Sequence, residues 1–273
     1  MELGVAGWSL HREILEDKKT TLLDLPEVVA GYGVKVIELC QVFFENTSPD
    51  YLNQVRQALE KEDLRVVNIA VDVGNLAEPD AAKRRTHVEA LKQWFHVAKA
   101  VGSEAIRINS GFIGPQSFTL SSTPVPQEVL DRVVEGYREL AKVAEFTGVR
   151  LLIENHGGPS ADPENIRYFI EKVGSDWFRT CPDFGNFLPG TTYRGLGIML
   201  PYAYSVHAKL VNVDSEVQVL ERQGVRLEYD LRRCLDLVKD SGYDGPLCLE
   251  WGGPEPAERE AIKSGLELVA SLL

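Results

Sequence analysis

The sequence predicts an α/β protein folded as one (β/α)₈ TIM barrel, a single domain over residues 1–273, and three observations carry that expectation. Short apolar, β-branched runs alternate with amphipathic stretches along the whole chain, the pattern of a parallel sheet built from βα units. The alternation repeats eight times, the number at which such units close into a barrel. No low-complexity linker or break in composition divides the 273 residues, and a barrel of this kind needs about 250.

Taken in order, strands are expected at Leu3 to Ser9, Val34 to Cys40, Arg65 to Val71, Ala105 to Ser110, Val149 to His156, Phe178 to Asp183, Tyr204 to Val211 and Pro246 to Trp251. Each is nearly continuous in apolar residues, as required of a strand with helices on one face and a packed barrel interior on the other. Helices are expected at Leu22 to Tyr32, Tyr51 to Glu62, Asp80 to Val101, Gln127 to Thr147, Pro163 to Val173, Arg194 to Met199, Tyr229 to Ser241 and Ala257 to Leu273. Ser48-Pro49-Asp50, Glu78-Pro79-Asp80 and Asp162-Pro163 mark starts, and Gly33, Gly102, Gly148, Gly174 and Gly242 mark stops. The loop from Gly111 to Pro126, rich in Gly, Ser and Pro, is the longest connection; with the shorter one from Asn212 to Arg226 it is placed to cover the barrel mouth.

Composition excludes several classes of function. With 41 acidic and 29 basic residues the net charge is −12, which disfavours a nucleic-acid partner, because binding to a phosphate backbone needs clustered Lys and Arg. The triplet Lys83, Arg84, Arg85 lies on a polar helix and reads as a solvated face. No apolar run approaches the roughly 18 residues of a membrane span. The first ten residues carry Glu2 where a secretory signal carries a cation, so they read as a first strand and a cytoplasmic location is expected. Cys40, Cys181, Cys234 and Cys248 form no CxxC pair and are expected as reduced, mostly buried thiols. The oligomeric state is left open, a homo-oligomer being compatible with the sequence.

Catalytic groups of such barrels sit at the carboxyl ends of the strands. Strand five, in LLIENHGG, runs into Glu154, Asn155 and His156; strand six ends at Asp183 in CPDFGN, strand seven holds His207 in SVHAKL, and strand eight holds Glu250 in LCLEWGG. A carboxylate at the end of a buried strand costs several kcal/mol unless something positive meets it. Four consecutive strands each offer one metal-competent side chain at the same end, so Glu154, Asp183, His207 and Glu250 are expected to converge on one divalent ion. Three carboxylates and an imidazole suit Mn²⁺ best, with Mg²⁺, Co²⁺ or Zn²⁺ as alternatives.

ENHGG, DFGN, HAK and LEWGG, in this order, resemble the sugar phosphate isomerase/epimerase family of xylose isomerase-like TIM barrels, and the resemblance covers essentially the whole chain. It implies that Glu154, Asp183, His207 and Glu250 are metal ligands and that the two glutamates exchange protons with a carbohydrate substrate. This chain has Gly185 and Asn186 where the ketose epimerases of that family tend to carry a histidine.

A divalent ion beside a carbonyl polarises it and stabilises the enediolate left when the neighbouring carbon loses its proton. Glu154 and Glu250 can remove and return that proton, which gives isomerisation or epimerisation of a small sugar; loss of a β-substituent from the same intermediate would instead make a dehydratase or lyase. An elimination wants an acid near the leaving group, for which His156, His11 and Lys209 are candidates. His156 is the third expected catalytic residue, and Lys209 is expected to meet a substrate oxygen. Trp8, Glu38 and Asn109 are the expected substrate contacts of the first half-barrel; Arg107, alternating with Asn109, is expected either to meet a substrate phosphate or carboxylate or to pair with a glutamate across strands. A phosphodiesterase built on a histidine-rich trinuclear zinc site is disfavoured by the five histidines, two of which, His87 and His96, fall on a helix. A non-enzymatic sugar-binding barrel is the remaining rival.

Overall fold

The computed structural model describes residues 1–114, 120–121, 123–222, 224–254 and 256–273. Its strands are β1 (Glu2–Ala6), β2 (Val36–Cys40), β3 (Arg65–Val71), β4 (Ala105–Ile108), β5 (Arg150–Glu154), β6 (Phe178–Cys181), β7 (Val206–Leu210), β8 (Val217–Arg222), β9 (Val225–Asp230) and β10 (Pro246–Trp251). The first seven and the tenth form one parallel sheet in the order β6-β5-β4-β3-β2-β1-β10-β7. Parallel bridges Thr180 to Ala203 and Asp183 to His207 join its two edges, with the His207 amide donating to the Pro182 carbonyl at 2.9 Å. The sheet therefore curls round on itself as the (β/α)₈ barrel that the eightfold alternation predicts.

The helices are α1 (Leu25–Ala30), α2 (Pro49–Lys61), α3 (Ala81–Val101), α4 (Gln127–Thr147), α5 (Pro163–Val173), α6 (Thr192–Met199), α7 (Leu231–Asp240) and α8 (Glu258–Leu272). Three of the expected starts are capped as their sequences require. Ser48 accepts from the Tyr51 amide, Asp80 from those of Ala82 and Lys83, and Asp162 from that of Glu164, each satisfying a donor that the first turn leaves open. The outer core is aromatic where α3, α4 and α5 meet the strands. Phe95, Tyr137 and Phe169 are fully buried, and the Tyr137 hydroxyl donates to the Ile108 carbonyl at the end of β4 at 2.8 Å.

The largest difference from expectation lies between β7 and α7. The stretch expected as a loop from Asn212 to Arg226, followed by a helix from Tyr229, contains the antiparallel hairpin β8-β9, and α7 begins only at Leu231. Its residues alternate: Gln218, Leu220, Leu227 and Tyr229 are buried while Val217, Val219, Arg226 and Glu228 are exposed. That period of two is what a one-sided ribbon needs. Buried Gln218 is satisfied by the backbone at the end of β7, accepting from the amides of Val211 and Asn212 and donating to the carbonyls of Asn212 and Ser215. The loop Gly111 to Pro126, expected to help cover the mouth, lies partly outside the described residues.

Tyr137→Phe removes the one donor that reaches the Ile108 carbonyl from α4. We expect it to cost about 1–3 kcal/mol in urea unfolding with an unchanged m-value, the price of an unmet buried acceptor.

Candidate metal centre

Glu154 closes β5, His207 lies in β7 and Glu250 in β10, while Asp183 follows β6 and is bridged to His207. They come from four strands adjacent around the barrel and are 0% to 7% exposed. Each offers one ligand atom, and these atoms lie within 4.8 Å of one another. From His207 Nδ1 the distances are 3.2 Å to Glu250 Oε2, 3.7 Å to Asp183 Oδ2 and 3.8 Å to Glu154 Oε1. Atoms bound about 2.1 Å from one ion sit roughly 3.0–3.4 Å apart, so the cluster is at, or slightly wider than, a coordination shell. His207 Nδ1 and Asp183 Oδ2 are buried with no hydrogen-bond partner in the protein, which is costly for polar atoms and suits ligands of a cation.

Local structure aims these side chains. Gly157 and Gly158 both have positive φ, so the chain turns away immediately after Glu154-Asn155-His156. Asn155 points across to the next strand end, donating to the Asp183 carbonyl and accepting from the Asp183 amide, both at 2.8 Å. Asp183 Oδ1 accepts from the Gly185 amide at 2.7 Å, which leaves Oδ2 for the cluster. The Nε2 of His207 is 2.8 Å from Glu38 Oε2, and Asn68 donates to that same oxygen at 2.6 Å. A carboxylate on one imidazole nitrogen fixes the tautomer and presents the other, here Nδ1, as a ligand. Glu38, Cys181 and His207 are also close enough to form a second donor group, but there His207 would have to use the nitrogen that meets Glu38.

Both glutamates turn one oxygen to Nδ1 of His207 and the other to a cation. Arg107 Nε is 3.0 Å from Glu154 Oε2, while its NH1 reaches Asp72 Oδ1 at 2.5 Å and Asn109 Oδ1 at 2.7 Å. His156 Nδ1 is 3.3 Å from the same oxygen of Glu154. Lys209 Nζ lies 2.5 Å from Glu250 Oε1. On the inner side, Asn186 donates to Glu154 Oε1 at 2.9 Å and accepts from Arg222 of the hairpin at 2.5 Å.

These partners decide the protonation states. Burial pushes the Glu154 carboxyl up, but His156 and Arg107 outweigh it and hold the group well below the usual carboxylate range. Burial likewise raises Glu250 and is outweighed by Lys209 and His207, with the same net direction. At Asp183 burial prevails over Lys209 and His207, and its pKa is raised. Burial lowers His207 and Lys209, but the surrounding Cys181, Glu38 and Asp183 for the first, and Asp183 and Glu250 for the second, bring both net upward.

Above the cluster is a cavity of about 280 Å³. Glu38, Asp72, Glu154 and Glu250 contribute carboxylates to its wall, and Arg107, Lys209 and Arg222 contribute cations. His156 and His207 also line it, and Trp8 forms an aromatic side. The Trp8 ring stacks on His11, at 4.5 Å between centroids, and lies parallel to Phe43, at 6.4 Å. Of the residues expected from sequence, Glu154, Asp183, His207, Glu250, Lys209, His156, Glu38 and Trp8 are brought to the cluster or the cavity. Asn109 stands beside it, bridging Arg107 and Asp72, and His11 backs Trp8. Asp72 and Arg222 were not anticipated. Asp72 immediately follows β3, so the strand-end rule applies to it; Arg222 lies in the hairpin expected as a loop. All four cysteines are buried free thiols, and among the described residues no helix is long and apolar enough to cross a membrane.

A barrel with convergent donors at the carboxyl ends of its strands defines a class, and comparison with known proteins agrees. Residues 26–272 match the family model of the xylose isomerase-like TIM barrel, and the chain belongs to that family. An L-ribulose-5-phosphate 3-epimerase of Escherichia coli O157:H7 is 24% identical over 192 residues, which are 69% of this chain and 63% of that protein. Among solved structures, a D-psicose 3-epimerase from Clostridium cellulolyticum H10 with D-tagatose superposes with a TM-score of 0.73 at 15% identity, covering 100% of this chain and 99% of its own. The IolI protein with a bound zinc atom superposes with a TM-score of 0.75 at 16% identity, covering 100% and 98%.

Arg107→Met would leave Asp72 and Glu154 facing each other without their shared guanidinium. We expect a loss of about 3–5 kcal/mol in chemical denaturation at neutral pH, the usual cost of stranding a buried charge; a change below about 1 kcal/mol would contradict the pairing described.

Proposed function

We propose that the protein is a divalent-metal-dependent isomerase or epimerase of a small sugar, working through an enediolate. The observation that carries this reading is the quartet of Glu154, Asp183, His207 and Glu250, in which the buried ligand atoms His207 Nδ1 and Asp183 Oδ2 have no hydrogen-bond partner in the protein. An ion held there would polarise a substrate carbonyl and stabilise the charge that develops on its oxygen. Mn²⁺ is the first choice for three carboxylates and one imidazole, and the zinc-bound fold relative keeps Zn²⁺ in view.

The chain's own groups supply the rest. Glu154 and Glu250 are ionised at neutral pH and stand at the two ends of the arc of ligand-bearing strands, so each can take or return a proton at a carbon beside the carbonyl. Trp8 gives the cavity an apolar side against which a sugar can pack, while Asp72, Arg107 and Lys209 offer hydroxyl partners. The cavity of about 280 Å³ suits a small carbohydrate. Relatives named as epimerases of L-ribulose 5-phosphate and D-psicose support a ketose as the substrate class. A dehydratase or lyase is the second reading, favoured by His156, which opens on the cavity beside Glu154 and can serve as the acid an elimination needs. The buried free thiols fit a reducing, cytoplasmic setting.

Proton exchange tests this directly. Mn²⁺-loaded protein incubated in ²H₂O with D-fructose, D-tagatose, L-ribulose and L-ribulose 5-phosphate is expected to incorporate deuterium beside the carbonyl of at least one ketose, and protein stripped with a chelator to incorporate none. Glu154→Gln and Glu250→Gln should each lower turnover by roughly 10² to 10⁴. His156→Asn separates the two readings, since it should impair an elimination far more than an epimerisation. Absence of exchange with every ketose in the metal-loaded protein would overturn the enediolate reading.

A further inference from the structure

Lys209 occupies a slot that the strand-end motifs make for it. Its side chain is buried at 2% exposure between β6 and β10, with Nζ 2.5 Å from Glu250 Oε1 and 3.6 Å from Asp183 Oδ2. A Cβ added at Gly185, the glycine of DFGN, would fall 2.8 Å from Lys209 Cγ, and one at Gly252, after Glu250-Trp251, would fall 3.3 Å from Lys209 Cε. Both are closer than a side chain tolerates comfortably, so these two glycines leave room for the lysine stem. The hairpin fixes the backbone at the same point, where the Tyr229 hydroxyl donates to the Lys209 carbonyl at 2.6 Å.

The ammonium thus sits against two of the four metal-competent groups, yet on the oxygen of Glu250 that faces away from His207 Nδ1. Three carboxylates and a neutral imidazole outweigh a divalent ion by one negative charge. An ion so over-neutralised is a weaker electrophile, and an oxyanion forming beside it meets net repulsion. The nearest cation on the Glu154 side, Arg107, is shared with Asp72, whereas Lys209 has only Asp183 and Glu250 as its carboxylate neighbours in the cluster.

We propose that Lys209 sets the charge of the loaded metal centre: its ammonium cancels the third carboxylate, weakening the grip of the quartet on the ion while keeping the ion electrophilic toward the substrate carbonyl. This rests on the metal-dependent reading above and adds to it a residue with opposite effects on binding and turnover. A lysine that only braced Glu250 would behave differently, because its loss would loosen a ligand and lower both.

The test uses Lys209→Met and Lys209→Gln, the second of which retains a hydrogen-bond donor toward Glu250 without the charge, with thermal melts to confirm folding. Mn²⁺ binding to each metal-free protein is measured by titration calorimetry. Removing a unit positive charge from a buried site this close to the ion should tighten Mn²⁺ binding by roughly tenfold or more in both variants. Deuterium exchange into the ketose that wild type labels best should fall by roughly a hundredfold despite fuller occupancy of the site. Unchanged or weaker Mn²⁺ affinity in the folded variants overturns the proposal, as does exchange at the wild-type rate. Failure of wild type itself to bind Mn²⁺ is a separate outcome, which overturns the metal centre together with the role of Lys209.

Discussion

The constraint on which the rest depends is the desolvation of carboxylates at the end of the barrel. Glu38, Glu154, Asp183 and Glu250 are at most 7% exposed, and each must be met by a donor or a cation where water does not reach. The protein meets it with a divided arrangement. Glu154 and Glu250 each give one oxygen to the side of His207 Nδ1 and the other to a fixed cation, Arg107 or Lys209. Glu38 is turned to the far nitrogen of the same imidazole. The outward oxygens of Glu154 and Glu250 are thus met by cations of the protein, while their inward oxygens face the cluster, that of Glu154 with Asn186 as a further donor.

Such an arrangement needs a scaffold that fixes several strand ends at once. Parallel strands closed in a ring bring residues far apart in sequence to one plane, and short-range links such as Asn155 to the Asp183 backbone set the height of each side chain. The hairpin β8-β9 adds a second support. Gln218 ties it to the end of β7, Tyr229 holds the Lys209 backbone, and Arg222 reaches Asn186, which in turn donates to Glu154. The cluster is therefore braced from the strands below and from the ribbon beside it, as preorganised sites require.

Much of this was legible from the amino-acid order because two local rules operate undisturbed. Continuous apolar runs report buried parallel strands, and polar residues at their carboxyl ends report the functional face, which is how Glu154, Asp183, His207 and Glu250 could be grouped. What was not legible depends on packing across the ring. Nothing near Glu38 in sequence says that it meets His207 three strands away, and nothing near Arg107 says which glutamate it pairs with or that it is shared with Asp72. The hairpin was hidden for a different reason. Its inward face carries Gln218 along with its apolar residues, so the period-two signal is diluted by a polar side chain whose partners are backbone groups at the end of another strand. Nor does the order DFGN or EWGG say that Gly185 and Gly252 leave the space that the Lys209 stem fills.

The proposed function stands on Glu154, Asp183, His207 and Glu250 holding one divalent ion. Crystals of the protein grown with Mn²⁺ and measured at an anomalous wavelength test it most directly. We expect a single strong anomalous peak bonded to Glu154, Asp183, His207 Nδ1 and Glu250 at about 2.0–2.3 Å, with at least one coordination position open to the cavity. No peak at these residues, or a peak held by Glu38 and Cys181 instead, would contradict it.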